Sequence, residues 1–167
     1  YEPCLPLSTA TEILDELRET LVPLIESIRG SDVDLATDAF AGSFDTDSQE
    51  SFSREVLATL GYDFDRGRLD TSTHPFTSGN QFDARITTRF DESDPLGALT
   101  STIHEFGHAY YALGLPDDAF GTPLGSHRDL SVHDSQSRLW DNHVGRSEAF
   151  WELWLPQLHD AFPPPSD

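Results

Sequence analysis

The stretch STIHEFGHAYYALGLP, residues 101–116, places two histidines four residues apart and a glutamate directly after the first. Residues four apart lie on one face of an α-helix, so His104 and His108 can direct two imidazoles toward one ion. Glu105 lies about 100° further round such a helix, within reach of a water beside that ion but poorly placed to ligate it. This spacing indicates a metallohydrolase site, although an ordinary buried helix with two hydrogen-bonded histidines also matches it.

The sequence around the two histidines predicts a helix with defined ends. Asp94 followed by Pro95 is the favoured cap-then-proline start, and Gly114 with Pro116 predicts the end. The residues between are largely apolar. Two histidines and a glutamate on a buried face are costly unless they are hydrogen-bonded or bind a metal, and this favours the metal-site interpretation.

The rest of the chain predicts a mainly α fold in a single domain, residues 1–167. Alternation in residues 84–90 indicates a strand, within a small antiparallel β element around residues 66–90. Four further helices are expected, at 8–30, 47–61, 130–143 and from Ser147 onward. The first of these has a Thr9–Glu12 capping box, with Pro23 expected to kink or divide it, and the second is capped by Asp47 or Ser48.

The charge of the chain excludes several partners. Its 167 residues include 30 acidic and 10 basic ones, all of the latter arginine, for a net charge of -20. Such a surface repels nucleic acid and anionic membranes, and no apolar run has the length of a membrane span. Dense carboxylates without lysine, beside 11 phenylalanines that argue for a folded core, are typical of a halophile's cytoplasmic protein. Cys4 is the only cysteine, so neither a disulfide framework nor a thiolate metal cluster is expected.

A metal site on the third helix requires a third ligand, and the predicted fourth helix offers candidates. The segment SVHDSQSRLWDNHVGRS contains His133, Asp134, Asp141 and His143. Each of these alone is more often a helix cap or part of a solvated face. Together with the third helix, the segment forms a second wall for the site.

Five motifs occur in an order that resembles the M32 metallocarboxypeptidases, the carboxypeptidase Taq family. They are HPFT (74–77), DARIT (83–87), HEFGH (104–108), GTPLG (121–125) and HDSQSRLWDNHVGRS (133–147), with YEP at the start of the chain. The resemblance implies a largely helical, zincin-type peptidase that removes residues from peptide C-termini. It also implies one divalent metal, zinc with cobalt as a substitute, and homodimeric assembly. The family's proteins are several times longer, so the chain corresponds to a central segment.

The resemblance also assigns roles to individual residues. His104 and His108 match the two histidine ligands, and Glu105 matches the catalytic base. The family's third ligand is a glutamate in a His-Glu-Ser-Gln run, which reads HDSQ here, so Asp134 takes that position. Aspartate is shorter by one methylene, about 1.5 Å. Either the fourth helix lies closer to the third, or a bridging water fills the gap and metal binding weakens.

His74 and Arg85 match signature positions near the family's active site. They are candidates to hold the peptide or stabilise the developing oxyanion. The alternatives are a loop-packing role for His74, which precedes a proline, and an ion pair with Asp83 or Asp91 for Arg85.

Two functions follow from the sequence. The first is a metal-dependent carboxypeptidase with Glu105 as general base. The second is a truncated, non-catalytic segment that keeps the fold and the metal but hydrolyses nothing. The substitution at Asp134 and the missing flanks favour the second function, while the intact Glu105 argues against it.

Overall fold

The computed structural model describes residues 4–33 and 42–162. The opening YEP and the closing residues 163–167 lie outside this part of the chain. The chain divides into two compact units, Tyr1–Ala39 and Phe40–Asp167. The elements in order are α1 (Leu7–Arg29), α2 (Thr46–Leu60), β1 (Gly67–Thr71), β2 (Phe76–Gly79), β3 (Ala84–Thr88), α3 (Pro95–Leu113), α4 (Leu130–Arg138), a π-helical turn (Leu139–Val144) and α5 (Glu148–Ala161). The fold is therefore mainly helical with a small sheet, as predicted, and no helix among the described residues suits a membrane span.

The first unit contains α1, whose bounds agree closely with the predicted helix. Gly30 caps its C-terminus, where the Gly30 N–H donates to the Glu26 carbonyl and the Ser31 N–H donates to the Ile28 carbonyl. The predicted Thr9–Glu12 capping box is wrong, because the N-cap is Pro6, three residues before Thr9, and the helix has no side-chain cap. Pro6, with φ −61, sets the entry of the chain without a side-chain hydrogen bond. Pro23 lies inside one continuous helix and does not divide it.

The second unit begins its regular structure with α2. The Asp45 carboxylate accepts hydrogen bonds from the Ser48 N–H and hydroxyl, both at 2.8 Å, and these bonds lower the pKa of Asp45. The predicted caps at Asp47 or Ser48 are therefore wrong by a few residues, since Ser48 is the donor of the cap and not its acceptor. Gly61 ends the helix with φ 99, as its position in the sequence predicted.

The three strands form a mixed sheet in the order β1-β3-β2. β2 pairs antiparallel with β3, but β1 pairs parallel with it, so the predicted antiparallel arrangement is wrong for one of the two pairs. The alternating segment predicted as the best strand lies in the centre. Its residues Ala84, Ile86 and Thr88 are fully buried, and α3 packs against the sheet on that side. The two strands that flank β3 are each more exposed.

α3 lies between two hydrophobic clusters and is the central element of this unit. It begins after the Asp94 cap with Pro95 in its first turn and ends at Gly114, as predicted. Phe106 and Ala109 pack into a cluster with residues of the sheet and α2. Leu99 and Ile103 pack into a second cluster with residues of α2 and α5. α3 is thereby fixed on both sides.

The predicted fourth helix, 130–143, is present in two parts. α4 begins after Asp129, whose side chain accepts from the Val132 N–H, and extends to Arg138. From Leu139 to Val144 the chain continues as a π-helical turn, which ends at Gly145. α5 follows the Ser147 cap as predicted and includes Pro156 without a break.

Candidate metal centre

α3 places the imidazole rings of His104 and His108 side by side at the edge of the hydrophobic core. Their ring centroids are 5.0 Å apart, and their side chains are 21% and 17% exposed. The two rings thus lie where apolar packing ends and solvent begins. This is the geometry that the four-residue spacing predicted.

α4 brings Asp134 to the same face. Its Oδ1 lies 3.7 Å from Nε2 of His108, and donor atoms of His104, His108 and Asp134 all lie within 4.8 Å of one another. A tetrahedral zinc ion with donors at 2.0–2.2 Å holds those donors about 3.4 Å apart. The donor–donor distances therefore need to shorten by up to about 1.4 Å to surround such an ion. A side chain that is 63% exposed can make this movement by rotation.

Gly107, inside the HEFGH run, lets the two helices approach closely. A Cβ at this position would lie 2.5 Å from the Ser137 Cα and 2.8 Å from the Gln136 carbonyl oxygen. The two backbones are thus in direct contact. This contact favours the first of the two outcomes expected for the shorter Asp134 side chain, in which the fourth helix lies close to the third.

His104 has a buried acidic partner on its other ring nitrogen. Its Nδ1 lies 2.8 Å from Oδ2 of Asp141, whose side chain is 3% exposed. A carboxylate only accepts hydrogen bonds, so His104 donates through Nδ1, and in the neutral imidazole this contact leaves Nε2 as the unprotonated nitrogen. Asp141 was a candidate ligand from sequence, and the structure instead places it behind His104.

His108 has a histidine as its neighbour. Its Nδ1 lies 2.5 Å from Nδ1 of His133, so one of the two nitrogens carries the proton. Burial lowers the pKa of His108, and the nearby His104 lowers it further. Burial, followed by the charge of His108, lowers the pKa of His133 as well. Both shifts favour neutral imidazole, which is the form that binds metal.

The remaining candidate ligands from the sequence lie differently. His133 contacts His108 on the Nδ1 side, whereas Asp134 faces the Nε2 side. His143 is exposed, and among the described residues it is outside the donor cluster. Of the four candidates, Asp134 alone is grouped with the two histidines as a donor.

Glu105 is buried beside the histidines and is held by a strand. The Thr77 hydroxyl lies 2.7 Å from Oε2 and 2.9 Å from the carbonyl oxygen of Glu105. Thr77 pairs with Ile86, which places both on the side of the sheet that faces α3. Thr77 lies in the HPFT run, but the sequence alone did not single it out. The alternation of β2 beside the buried β3 was the signal that could have found it.

His74 and Arg85 lie outside the donor cluster. His74 is exposed between β1 and β2 and lines a cavity of about 180 Å³ with Arg89, Asp94 and Ser101. Arg85 forms the ion pair that was its alternative interpretation, with Nη2 2.7 Å from Oδ2 of Asp83. It is exposed between the buried Ala84 and Ile86, on the face of the sheet away from α3. The peptide contacts proposed for both residues stay predictions.

Comparison with known proteins identifies the family. The chain matches the family described as Carboxypeptidase Taq (M32) metallopeptidase over residues 1–167. Thermostable carboxypeptidase 1 of Thermus thermophilus is 40% identical over 163 residues, 97% of this chain and 32% of that protein. Carboxypeptidase 1 of Bacillus subtilis is 36% identical over 164 residues, 98% of this chain and 33% of that protein.

A solved structure agrees with these matches. The M32 carboxypeptidase of Deinococcus radiodurans R1 has a TM-score of 0.89 at 42% identity, covering 96% of this chain and 32% of that one. The chain belongs to the M32 carboxypeptidase Taq family of metallopeptidases. It spans about a third of the length of the curated relatives it matches.

Proposed function

We propose that this chain supplies the metal ligands and the general base of a metal-dependent carboxypeptidase, which releases C-terminal residues from peptides. The observation that carries the proposal is the cluster of His104, His108 and Asp134 donors within 4.8 Å, with the buried Glu105 next to His104 in the chain. Membership of a metallopeptidase family supports the reaction class. The names of the curated relatives support action at the C-terminus of the peptide.

The donor set suits zinc, with cobalt as a substitute. Two imidazoles and one carboxylate match the three protein ligands of a catalytic zinc site and leave a fourth coordination position open. Magnesium and calcium prefer all-oxygen surroundings, which two histidines do not offer. When bound, zinc supplies the Lewis acidity that polarises the scissile carbonyl and makes the attacking water more acidic.

The side chains of this chain then carry the proton. Glu105 accepts a proton from the attacking water and later delivers it to the leaving amine. The Thr77 hydroxyl contacts Oε2 of Glu105 and limits the rotation of the carboxylate. Asp141 and His133 contact the Nδ1 atoms of the two proposed ligand histidines, which leaves each Nε2 available as the metal-binding nitrogen.

Further properties are proposed from the resemblance and the charge alone. His74 and Arg85 are retained as candidate peptide contacts. Homodimeric assembly, a cytoplasmic location and adaptation to high salt complete the proposal. None of these enters the assignment of the metal ligands.

Metal titration of the intact, metal-free protein tests the proposal. We expect one zinc ion per chain, a large loss of affinity in Asp134→Ala and a smaller loss in His133→Ala. Asp117→Ala, which removes an exposed aspartate outside the cluster, is the control and should bind normally. Loss in the His133 variant alone would make His133 the ligand. Unchanged affinity in both variants would mean that no third protein ligand is present.

An assay of amino-acid release from unblocked peptides separates the two functions. Zinc-dependent release of C-terminal residues is expected from the intact protein. Normal zinc binding without any release would favour the alternative, a non-catalytic segment that keeps the fold and the metal.

A further inference from the structure

Asp141 is a buried carboxylate that neither belongs to a hydrophobic cluster nor caps a helix. Its Oδ2 contacts His104 Nδ1 at 2.8 Å and Arg138 Nη1 at 3.3 Å. Its Oδ1 is buried with no hydrogen-bond partner among the described residues. A buried carboxylate with an unsatisfied oxygen destabilises a fold by several kcal/mol unless its partners compensate. The presence of such a group points to a role that involves the partner it contacts.

The two partners of Asp141 are unequal. The Arg138 side chain is 62% exposed, so solvent screens its interaction with the carboxylate. The His104 side chain is 21% exposed and its Nδ1 is at the shorter distance. His104 is therefore the partner to which the buried charge matters most.

The local backbone directs Asp141 toward α3. The residue lies in the π-helical turn Leu139–Val144, which continues α4 and packs against α3. π-helical turns are rare and frequently occur at functional sites. The same turn packs Trp140 against Phe106, one residue before Asp141. The aromatic contact anchors the turn and the carboxylate beside it.

We propose that Asp141 is a positioning residue for His104. Its carboxylate accepts the Nδ1–H, fixes the tautomer in which Nε2 is unprotonated, and makes that nitrogen a better electron donor toward the metal. His108 has a neutral imidazole in the equivalent place, so the two ligands differ in donor strength. The proposal rests on the proposed function, because it assumes that His104 is a ligand.

The first experiment measures zinc affinity in the metal-free intact protein by competition with a chelator. Asp141→Ala should weaken zinc binding about 10–100-fold, the usual effect of losing a partner of a ligand histidine. Asp141→Asn keeps the shape and an acceptor oxygen but loses the charge, so an intermediate loss is expected. Asp118→Asn removes the same charge from an exposed position and is the matched control. Wild-type affinity in both Asp141 variants would overturn the proposal.

The second experiment does not require metal. In the metal-free wild type, ¹⁵N NMR of the histidine side chains should find His104 as the Nδ1–H tautomer, and in Asp141→Asn the Nε2–H form should gain population. Variants with normal thermal unfolding but altered tautomer and affinity support positioning over a purely structural role. An unchanged tautomer in Asp141→Asn would contradict the proposal. A wild type with the expected tautomer that binds no zinc would instead contradict the proposed function.

Discussion

The two helices that form the candidate metal centre are held in very different ways. α3 has ten buried residues and packs into both hydrophobic clusters, whereas α4 has one buried residue, Ser137. His104, His108 and Glu105 are on the first helix, and Asp134 is on the second. Half of the site is therefore built on a rigid element. The other half depends on the contact at Gly107 and on the turn that follows α4.

Because of this difference, substitutions on α3 and substitutions at the contact between α3 and α4 should have different effects. Changes on α3 act on side chains whose positions are fixed by packing, so they should alter chemistry without moving the helix. Changes at the contact between α3 and α4 should alter the position of Asp134, and with it the metal affinity.

The largest effect is expected from Glu105→Gln. The amide keeps the shape and a hydrogen bond to Thr77 but cannot accept a proton as a base, so release of C-terminal residues should fall by about 10²–10⁴-fold. Zinc affinity should stay within a few-fold of wild type, because the ligands are unchanged. Glu152→Gln, an exposed residue of α5, is the control. Turnover at the normal rate in Glu105→Gln would mean that another group is the base.

The next effect is expected from Gly107→Ala, which acts on the contact between the helices. The added methyl meets the Ser137 Cα at 2.5 Å, so the helices must move apart. Overpacking of this kind costs about 1–3 kcal/mol of unfolding free energy, measured by urea denaturation. Zinc affinity should fall at the same time, because Asp134 moves with α4.

The matched control for this variant is Gly114→Ala at the end of α3. There the new Cβ lies 3.3 Å from its nearest neighbour, a carbonyl oxygen of the same helix, and no second helix has to move. Equal zinc affinities in the two glycine variants would contradict the role of the contact.

The sequence predicted the α3 half of the site better than the α4 half, for a physical reason. The spacing of His104 and His108 and the caps of α3 are local features, and a helix of fixed period converts them directly into geometry. The positions of Thr77 and Asp141 depend on strand register and on a π-helical turn. Both are set by packing between distant segments. The alternation of β2 indicates Thr77 only once β2 is known to lie beside the buried β3, and no local pattern predicts the contact of Asp141 with His104.

The same distinction, between local sequence features and packing of distant segments, explains where the predicted fold differed from the observed one. The parallel pairing of β1 and β3 depends on which strand occupies the centre, and that is decided by burial against α3. The start of α1 differed from the predicted one because Pro6 precedes the helix without a side-chain cap, so a search for a polar cap does not find it. The start of α2 differed because Asp45, Asp47 and Ser48 were all acceptable caps. Arg85 was weighed between a substrate contact and an ion pair, and the ion pair with Asp83 is present.

A smaller effect is expected from salt, which acts on the exposed surface and not on the packing of α3. Thirty acidic and ten basic side chains repel one another across the surface. The Debye length falls from about 10 Å at 0.1 M to about 3 Å at 1 M. The thermal midpoint should therefore rise by several degrees between these KCl concentrations, where 1 kcal/mol corresponds to about 2–4 °C. A flat response would contradict adaptation to high salt.

The smallest effect is expected from lowering the pH, which protonates the His108–His133 pair that joins α3 and α4. The pKa values of His108 and His133 are lowered in the folded protein, mainly by burial, while the unfolded chain titrates near the ordinary value of 6.5. The unfolded state therefore binds protons first as the pH falls. The contribution of the pair is complete above about pH 6.5 and is lost as the pH falls through the folded pKa values.

A comparison of variants isolates this contribution from the carboxylates, whose protonation relieves surface repulsion and acts in the opposite direction. Urea midpoints of the metal-free protein would be measured between pH 7.5 and 5. His133→Gln removes one member of the pair and the charge that His108 senses, so its midpoint should fall less with acid than that of the wild type. His143→Gln, an exposed histidine of the π-helical turn, should follow the wild type. If His133→Gln and the wild type gave the same profile, the pair would not couple α3 and α4 in the way that their contact indicates.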